Sequence, residues 1–334
     1  MMVPPGRLSD LATGLLKTRG VPEAAARLQA DLLVEAELRG LPSHGVQRLP
    51  LLISRLDKGL ADGTKQGKVI WRRAGFLEMD GERGLGPVVV MNAIEAIASR
   101  LEETGIGLAA IRNANHIGML AYYAEAVART GRIAIILSTS EALVHPYGGT
   151  DAMLGTNPIA IGIPSGDEPF ILDLATSIVS MGKINNHALR DLPIPSEWAV
   201  DAEGNRTSDP VAARQGAIAP FGEAKGYGLG LAIELIVSLL AGSDLAPEIH
   251  GTLDDTHPAN KGDLVIMIDP QAGAGSAPAL SHYLESVRQS RPSDPGRPVA
   301  VPGDGGRARR KAALSTGIDV PEPLFDQLLA LEAA

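Results

Sequence analysis

Apolar residues recur along this chain with two periods, and each period predicts one kind of element. Spacings of three and four residues predict helices, and short apolar runs between turn residues predict buried strands. The predicted helices are Leu8–Thr18, Pro22–Arg39, Ser43 to about Lys58, Pro87–Glu103, Ile117–Thr130, Ile178–Ala188, Lys225–Ala241, Ala279–Arg288, Arg307–Leu314 and Pro323–Leu331. The predicted strands are Val69–Arg72, Phe76–Met79, Gly107–Ile111, Ile133–Leu137, Ile159–Ile163, Phe170–Leu172, Leu264–Ile268 and Val299–Val301.

This interleaving of strands and helices predicts an α/β fold with a helical N-terminal region, built on a sheet whose faces carry helices. Glu197–Pro210 is a polar loop, and the Pro-, Ser- and Arg-rich segment Ser290–Pro298 indicates a crossover between domains. We therefore expect two domains. The first comprises residues 1–115 with 293–334 and carries the substrate and catalytic groups, and the second comprises residues 116–292.

The composition narrows the class of protein. The chain has 334 residues, of which 45% are hydrophobic, and its net charge of −9 argues against nucleic acid as the main partner. It contains no cysteine, which excludes disulfides, zinc–thiolate sites and thiol nucleophiles. Met1–Asp10 lacks the pattern of a signal peptide, and the apolar segment Gly226–Gly242 is interrupted by Glu234. We expect a cytoplasmic protein without a membrane partner.

The first candidate for chemistry is the segment Pro42–Arg48. Ser43 is a residue type that caps helix N-termini, and Arg48 follows His44 by four residues, which places both on one face of a helix. Arginine grips carboxylates through paired hydrogen bonds, and histidine exchanges protons near neutral pH. The pattern fits a reaction on a small carboxylate. From the spacing alone, a capped surface helix with an incidental histidine and arginine is the favoured interpretation.

Two glycine-rich segments are candidates for holding phosphate. Gly303–Ala308 fits G-x-G-x-x-A, but too few residues follow it to complete a dinucleotide-binding βαβ unit, so a standard Rossmann fold is rejected. It is either a phosphate-holding turn or a flexible basic loop. Pro220–Gly230 places Lys225 among glycines at a helix start, which suits a pyrophosphate but also suits close helix packing.

Further polar segments follow predicted strands, where α/β proteins often bind ligands. They are Asn113–Gly118, His145–Gly149, Gly155–Pro158 and Asp173–Ser177. His250, Asp254, Asp255 and His257 lie close together in sequence, but their spacing matches no metal motif. We interpret that segment as a loop and expect no metal site.

Taken together, these segments resemble the malate/L-lactate dehydrogenase-like (type 2) oxidoreductases. Members of that family include ureidoglycolate dehydrogenase, diketogulonate reductase, sulfolactate dehydrogenase and the piperideine- and pyrroline-carboxylate reductases. The matching pieces occur in the family's order and cover nearly the whole chain. They are Ser43-His44-Gly45 with Arg48, Asn115–Gly118, Gly155–Pro158, Asp173–Ser177, Gly182–Ile184, Lys225–Leu229 and Pro302–Asp304.

The resemblance implies a homodimer that binds NAD or NADP on a non-Rossmann α/β fold. It implies that His44 is the proton donor assisted by Ser43, that Arg48 holds the substrate carboxylate and that Thr156 touches the substrate. It also implies a set of cofactor-binding residues: His116, Ile117, Gly118, Met119, Leu120, Leu174, Ala175, Thr176, Lys225, Gly226, Pro302, Gly303, Asp304, Gly305 and Gly306.

Lys183 bears on the substrate. Relatives that reduce cyclic imines tend to have a carboxylate near this position, whereas a lysine favours an oxyanion or a second anionic group. We therefore place Lys183 among the catalytic residues and expect a 2-hydroxy/2-oxo acid substrate, with dicarboxylates included. A ketimine reductase acting on cyclic imino acids such as piperideine-2-carboxylate is the alternative. A non-catalytic protein that binds the dinucleotide is the third hypothesis, and a Lys183 that points to solvent also remains open.

Overall fold

The computed structural model describes residues 1–166 and 168–333. Its α-helices are α1 (Pro5–Lys17), α2 (Glu23–Leu38), α3 (Leu49–Asp57), α4 (Gly86–Ala98), α5 (Leu101–Thr104), α6 (Leu120–Arg129), α7 (Met181–Leu189), α8 (Pro210–Ala213), α9 (Ala224–Ala241), α10 (Ala277–Arg288), α11 (Asp304–Thr316) and α12 (Glu322–Ala333). Its strands are β1 (Met2–Val3), β2 (Lys68–Arg73), β3 (Phe76–Asp80), β4 (Ile106–Arg112), β5 (Ile133–Ser138), β6 (Ile159–Ile163), β7 (Phe170–Leu174), β8 (Ala199–Val200), β9 (Ala217–Ile218), β10 (Gly262–Ile268) and β11 (Ile318–Asp319).

The central feature is a seven-stranded sheet with the order β2-β3-β4-β10-β5-β6-β7. Only the β3–β4 pair is parallel within the described chain, and the other neighbouring strands of this sheet are antiparallel. The predicted α/β class is therefore confirmed as a mixed α/β fold whose main sheet is mostly antiparallel.

Alternate residues of the central strands pack into two different hydrophobic cores, one on each face of the sheet. In β10, Val265 packs with α4 and α6, whereas the neighbouring Leu264 packs with α9 on the other face. Successive side chains of a strand point to opposite faces, so a strand covered on both sides is apolar at every position. The continuous apolar run of β10 results from this two-sided burial.

The N-terminal helices form a separate layer that carries the catalytic candidates. Leu8 and Leu15 of α1, Leu33 of α2 and Leu49 at the start of α3 share one buried cluster with Phe325 of α12. This packing fixes the end of α2 against the start of α3. The connection between those two helices, residues 39–48, is therefore held at both ends by a rigid core.

Several predicted elements differ from the structure. The helix expected from Ser43 begins only at Leu49, and the one expected from Ile117 begins at Leu120. The helix Pro87–Glu103 is divided into α4 and α5. Val299–Val301 is not a strand, because nothing in the central sheet pairs with it among the described residues.

Helix α9 is long and apolar enough, by length and composition alone, to cross a membrane. In the structure its inner face packs on β10, β4 and β5. Glu234 within it is only 2% exposed, and its carboxylate accepts hydrogen bonds from Asn157 Nδ2 at 2.5 Å and Ala246 N at 2.7 Å. Such a satisfied buried acid is a feature of a helix that forms part of a protein core.

Candidate active site

The connection from α2 to α3 consists of two short 3₁₀ turns, Pro42–His44 and Val46–Arg48, separated by Gly45. Ser43 caps no helix, so its expected capping role is wrong, and its hydroxyl lies 2.9 Å from His44 Nδ1 instead. Glu37 of α2 holds the loop by accepting the Val46 N–H at 2.9 Å. A Cβ at Gly45 would lie 2.1 Å from Glu37 Oε1, so a larger residue here would displace the carboxylate that accepts from Val46 N.

Arg48 is oriented by main-chain carbonyls. Its Nε donates to Ser43 O at 2.9 Å, and its Nη1 donates to Thr252 O at 3.1 Å. Thr252 belongs to a loop that Glu141 anchors through the N–H groups of Thr252 and Leu253, at 2.7 and 2.9 Å. Arg48 also lines a cavity, and among the described residues its guanidinium has no acceptor other than these two carbonyls, so N–H groups remain for an anion.

That cavity has a volume of about 470 Å³, within the range of small-molecule sites. We call it the substrate cavity. Eight of the predicted site residues line it: Ser43, His44, Arg48, His116, Ile117, Gly118, Leu120 and Thr156. Residues that sequence reasoning did not single out also line it, among them Ser138, Glu141, Ser180, Asn185, Thr252 and Lys261.

Both histidines of the substrate cavity are held in the neutral form. Removal from water, and then the nearby charge of Arg48, lowers the pKa of His44 to about 4. No α-helix begins at His44, so a helix N-terminus is not among the causes of this shift. The pKa of His116 lies well below its ordinary value, first through burial and then through Arg48, His44 and Lys261. The two rings lie 5.6 Å apart between centroids.

The tautomer of His116 follows from its main-chain contact. Gly118 N donates to His116 Nδ1 at 3.2 Å. Because a backbone amide can only donate, Nδ1 is the acceptor, and in the neutral ring the proton must sit on Nε2. His116 therefore offers a neutral N–H donor beside His44.

A second cleft of about 320 Å³ meets the substrate cavity at Ser43, His44, Gly118, Leu120 and Thr156, and we call it the cofactor cleft. Seven of its residues are predicted cofactor contacts: Gly118, Met119, Leu120, Leu174, Ala175, Gly303 and Gly306. Arg309 also lines it. Ser43 and His44 thus lie where the two spaces join, in position to act between two ligands.

Comparison with known proteins gives the family. The sequence profile of the malate/L-lactate dehydrogenase family matches residues 3–329. The chain is 35% identical to the L-sulfolactate dehydrogenase of Methanocaldococcus jannaschii over 98% of this chain and 95% of that protein. It is 32% identical to the (2R)-3-sulfolactate dehydrogenase (NADP(+)) of Chromohalobacter salexigens, over 96% and 94% of the two chains.

Solved structures of dehydrogenases have the same fold as this chain. A crystal structure of a dehydrogenase from Sinorhizobium meliloti is 69% identical, with a TM-score of 0.98 over 99% of this chain and 98% of that one. The M. jannaschii sulfolactate dehydrogenase structure gives a TM-score of 0.93 over 99% and 96% of the two chains. The chain belongs to the malate/L-lactate dehydrogenase family. The predicted family and the predicted oxidoreductase activity are thereby confirmed, and members of this family use NAD or NADP.

The other predicted cofactor residues of this family member lie around the cofactor cleft rather than in its lining. Thr176 is buried, and its hydroxyl donates to Thr156 O at 3.0 Å. Phe221 N donates to Thr176 O at 3.0 Å, which brings the Lys225–Gly226 segment alongside. Lys225 is exposed and Gly226 is buried at the start of α9.

The glycine segment before α11 forms a helix start. Gly303 has a φ of 99°, a conformation that favours glycine, and Asp304 accepts hydrogen bonds from Arg288 and Arg307 at 2.8–3.0 Å. These arginines hold the pKa of Asp304 well below its ordinary value. Pro302 and Gly305 flank these residues outside the lining of the cleft. Asp304 therefore fixes the turn that presents Gly303 and Gly306.

Lys183 lies apart from both spaces. Its side chain is exposed at the start of α7, with Nζ 4.7 Å from the centroid of the Trp198 ring. Among the described residues, it belongs to the lining of neither the substrate cavity nor the cofactor cleft. Its neighbour Gly182 does line the substrate cavity, where a Cβ would lie 2.7 Å from the Cβ of Ser43.

The loop that carries His250, Asp254 and His257 closes on itself. The two histidine rings stack with centroids 4.7 Å apart. Asp254 accepts hydrogen bonds from the N–H groups of Gly251, Thr256 and His257 at 2.8–2.9 Å. This carboxylate is occupied in shaping the loop whose Thr252 carbonyl orients Arg48.

Sequence reasoning missed Lys261 and Glu37. Lys261 is 1% exposed and ion-paired with Asp263, which is also buried. The available signal was a Lys-Gly-Asp sequence immediately before an apolar strand, since charges on a two-sided buried strand need partners. Glu37 sits near the polar end of a helix, and nothing in the sequence distinguishes it from an exposed acid.

Proposed function

We propose that this chain is an NAD(P)-dependent dehydrogenase of a small 2-hydroxy acid, acting reversibly on the corresponding 2-oxo acid. The observation that carries the proposal is the arrangement of His44. Its neutral ring lies where a cavity containing the Arg48 guanidinium meets a cleft lined by the predicted cofactor residues. A neutral imidazole is the form that accepts a proton from a hydroxyl.

The residues of the chain divide the work. Arg48 binds the C1 carboxylate through its free N–H groups, because a guanidinium fits a carboxylate with paired hydrogen bonds. In oxidation, the C2–H bond breaks with its electron pair, the hydroxyl proton moves to His44, and the C2–O bond becomes a carbonyl. The Nε2–H of His116 stabilises the negative charge that develops on that oxygen. Ser43 steadies His44 through its contact with Nδ1.

The cofactor cleft fits a nicotinamide nucleotide. Its glycines, Gly118, Gly303 and Gly306, leave the backbone accessible, and Leu120 and Leu174 offer apolar surface to a flat ring. When bound, the nicotinamide accepts the hydride in oxidation and returns it in reduction. Arg309, at the cleft, would neutralise phosphate.

The non-Rossmann part of the proposal rests on the sheet. A doubly wound nucleotide-binding fold has parallel strands joined by βαβ units, with a Gly-rich turn after the first strand. Here the main sheet has one parallel pair among the described strands, and the described residues immediately before Gly303 form no strand.

A substrate screen tests the proposed function. The purified protein is given lactate, malate, 3-sulfolactate and the corresponding 2-oxo acids with NAD(H) and with NADP(H), and nicotinamide absorbance is followed. We expect turnover of at least one acid pair, lost in His44→Ala. Turnover of piperideine-2-carboxylate with none of any 2-oxo acid would transfer the assignment to the ketimine reductases. Dinucleotide binding with no turnover of any acid or imine would support a binding protein.

The proposal includes a homodimer in the cytoplasm. Helix α9 supports a dimer because Leu235, Ile236 and Leu239 are 53%, 46% and 83% exposed along its outer side. Contiguous apolar surface of this kind is typical of subunit interfaces. The cytoplasmic assignment is supported by a chain without cysteine, which needs no oxidising compartment. The division into a helical substrate and catalytic domain, residues 1–115 with 293–334, and an NAD(P)-binding domain, residues 116–292, is retained as part of the same proposal.

A further inference from the structure

Lys261 places a buried ammonium group in the wall of the substrate cavity. The residue immediately precedes β10 and is 1% exposed, yet it belongs to the cavity lining. Lysine is almost never fully buried unless its charge is paired. Its partner is Asp263, which is 0% exposed and is not part of that lining. Of this buried ion pair, the cation and not its counterion therefore belongs to a residue of the cavity lining.

Two strands hold this ion pair in place. Ser138, the last residue of β5, donates to Asp263 Oδ1 at 2.6 Å. Thr139 and Gly262 lock the ends of β5 and β10 together, with Thr139 N donating to Gly262 O at 3.0 Å. Because the pair sits on paired strands rather than on a loop tip, the ammonium is preorganised for a ligand.

The ammonium has donors to spare. Among the residues that the structure describes, Asp263 is its one hydrogen-bond acceptor, although an ammonium can donate several hydrogen bonds. The remaining donors belong to a group that adjoins open cavity. An anionic ligand group would satisfy them, and a neutral methyl group would leave them without an acceptor.

Arg48 and Lys261 lie near a common centre. Both act on the ring of His116, whose pKa is lowered first by burial and then by these cations. The nearby acid Glu141 is engaged by the N–H groups of Thr252 and Leu253. The substrate cavity thus presents two separate cations to a ligand, one from the α2–α3 connection and one from β10.

We infer that Lys261 holds the second anionic group, a carboxylate or a sulfonate, of a substrate whose first carboxylate is held by Arg48. The inference rests on the proposed function and narrows it to 2-hydroxy acids with an anionic group on C3. Lys261 is then the residue that selects such substrates over monocarboxylates such as lactate. The preference for a second anionic group, which we expected from Lys183 on the sequence alone, is thus assigned to Lys261.

The test compares kcat/KM for malate, 3-sulfolactate and lactate in four proteins: the wild type, a double variant and two single lysine variants. In the double variant Lys261→Met with Asp263→Asn, the charges are removed together so that no unpaired carboxylate remains buried. We expect kcat/KM for the two dianions to fall about 10- to 100-fold, mainly through KM, with lactate changed by less than about threefold. The ratio of malate to 3-sulfolactate in the wild type shows which second anion is preferred.

Two lysine variants complete the design. Lys68→Met alters an exposed lysine at the start of β2 and should leave all three values unchanged. Lys183→Met tests the rival assignment: loss of dianion preference in this variant, but not in the Lys261 variant, would overturn the inference.

The outcomes separate the two levels of the assignment. If the wild type turns over no hydroxy or oxo acid, the proposed function fails, and the inference fails with it. If the wild type is active but prefers lactate, only the assignment of Lys261 is wrong, whether or not the variants fold. If the double variant is folded by thermal melting and still prefers the dianions, the assignment of Lys261 is also wrong.

Discussion

At the scale of single residues, the role proposed for His44 predicts how catalysis responds to pH. Its pKa of about 4 means that the free enzyme holds it neutral at physiological pH. Oxidation needs the neutral ring and reduction needs the protonated one. We therefore expect kcat/KM for reduction to fall about tenfold per pH unit above roughly pH 4, and kcat/KM for oxidation to be flat with respect to this group above about pH 5. Initial rates in both directions from pH 5 to 8 measure this.

His44→Ala is the control for that profile. It should lower kcat by about 10²- to 10⁴-fold and remove the dependence of reduction on this group, while nicotinamide binding by fluorescence titration is retained. A reduction rate in the wild type that does not change over the same pH range would contradict the assigned role.

Arg48 acts on the substrate and on His44 at once. Arg48→Lys keeps a cation but loses the paired donor geometry, so KM for the acid should rise about 10-fold or more with a smaller change in kcat. Arg48→Ala should also raise the pKa of His44, because Arg48 is the second cause of its depression. The pH profile of reduction would then shift to higher pH. An unaltered KM in both variants would remove Arg48 from substrate binding.

Sequence reasoning reached these two residues for only part of the right reason. Residue types and spacing identified His44 and Arg48, but the helix that was expected to place them on one face begins only at Leu49. Burial, which sets the pKa of His44, depends on the distant residues that cover it and has no local signature. The partner of Lys261, Asp263, is only two residues away, but the cavity that Lys261 lines is built from distant segments and has no local signature.

At the scale of elements, the contact between α7 and the 3₁₀ turns controls the position of Ser43. Gly182→Ala would place a Cβ 2.7 Å from Ser43 Cβ, so the turn must shift. Displacement of about 1 Å at a catalytic group costs up to about 100-fold in rate, and we expect kcat to fall about 10- to 100-fold. Circular dichroism and steady-state kinetics measure fold and activity separately.

Gly6→Ala is the matched control for that change. Gly6 lies in the first turn of α1, with no atom within 4 Å of an added Cβ. The substitution should preserve activity and leave stability unchanged or raised by a few tenths of a kcal/mol. Full activity of Gly182→Ala would show that the turn accommodates the methyl group.

Most helices and strands follow from the apolar pattern, but their arrangement does not. Strand β10 pairs with β4 and β5, although it follows β5 by more than a hundred residues. No local pattern records which strands will be neighbours, because pairing is decided by the surface that each element buries. The two 3₁₀ turns were predicted as a helix because Pro42–Arg48 has helical spacing, whereas the chain follows a different path that the hydrogen bond from Val46 N to Glu37 stabilises.

At the scale of the whole molecule, Glu37 opposes the histidines in the dependence of stability on pH. Burial raises its pKa from 4.5 to about 7, so between these values the folded state binds more protons than the unfolded state. Its contribution to stability therefore decreases as pH rises through that window. His44 and His116, with lowered pKa values, contribute in the opposite direction.

Glu37→Gln isolates this contribution, since glutamine keeps an acceptor for Val46 N but does not titrate. The Tm of the variant minus that of the wild type should become more positive from pH 5 to pH 8, by a few degrees. Thermal melts at each pH measure it. A difference that is constant or becomes more negative would show that Glu37 is already ionised in the folded protein at pH 5.

Assembly is the largest scale, and we expect the outer side of α9 to form the subunit interface. Leu239 is 83% exposed beside Leu235 and Ile236, an arrangement that water disfavours unless another surface covers it. We expect a homodimer by light scattering, and Leu239→Glu should convert it to a monomer because a buried unpaired carboxylate is costly. Leu314→Glu, which alters a 51% exposed leucine on the charged helix α11, should stay dimeric. A monomeric wild type would refute the dimer, whereas a dimeric Leu239→Glu would place the interface on another surface. The segment that leads into the N-terminus of α9 is hydrogen-bonded to Thr176 beside the cofactor cleft. Loss of the dimer should therefore also weaken nicotinamide binding.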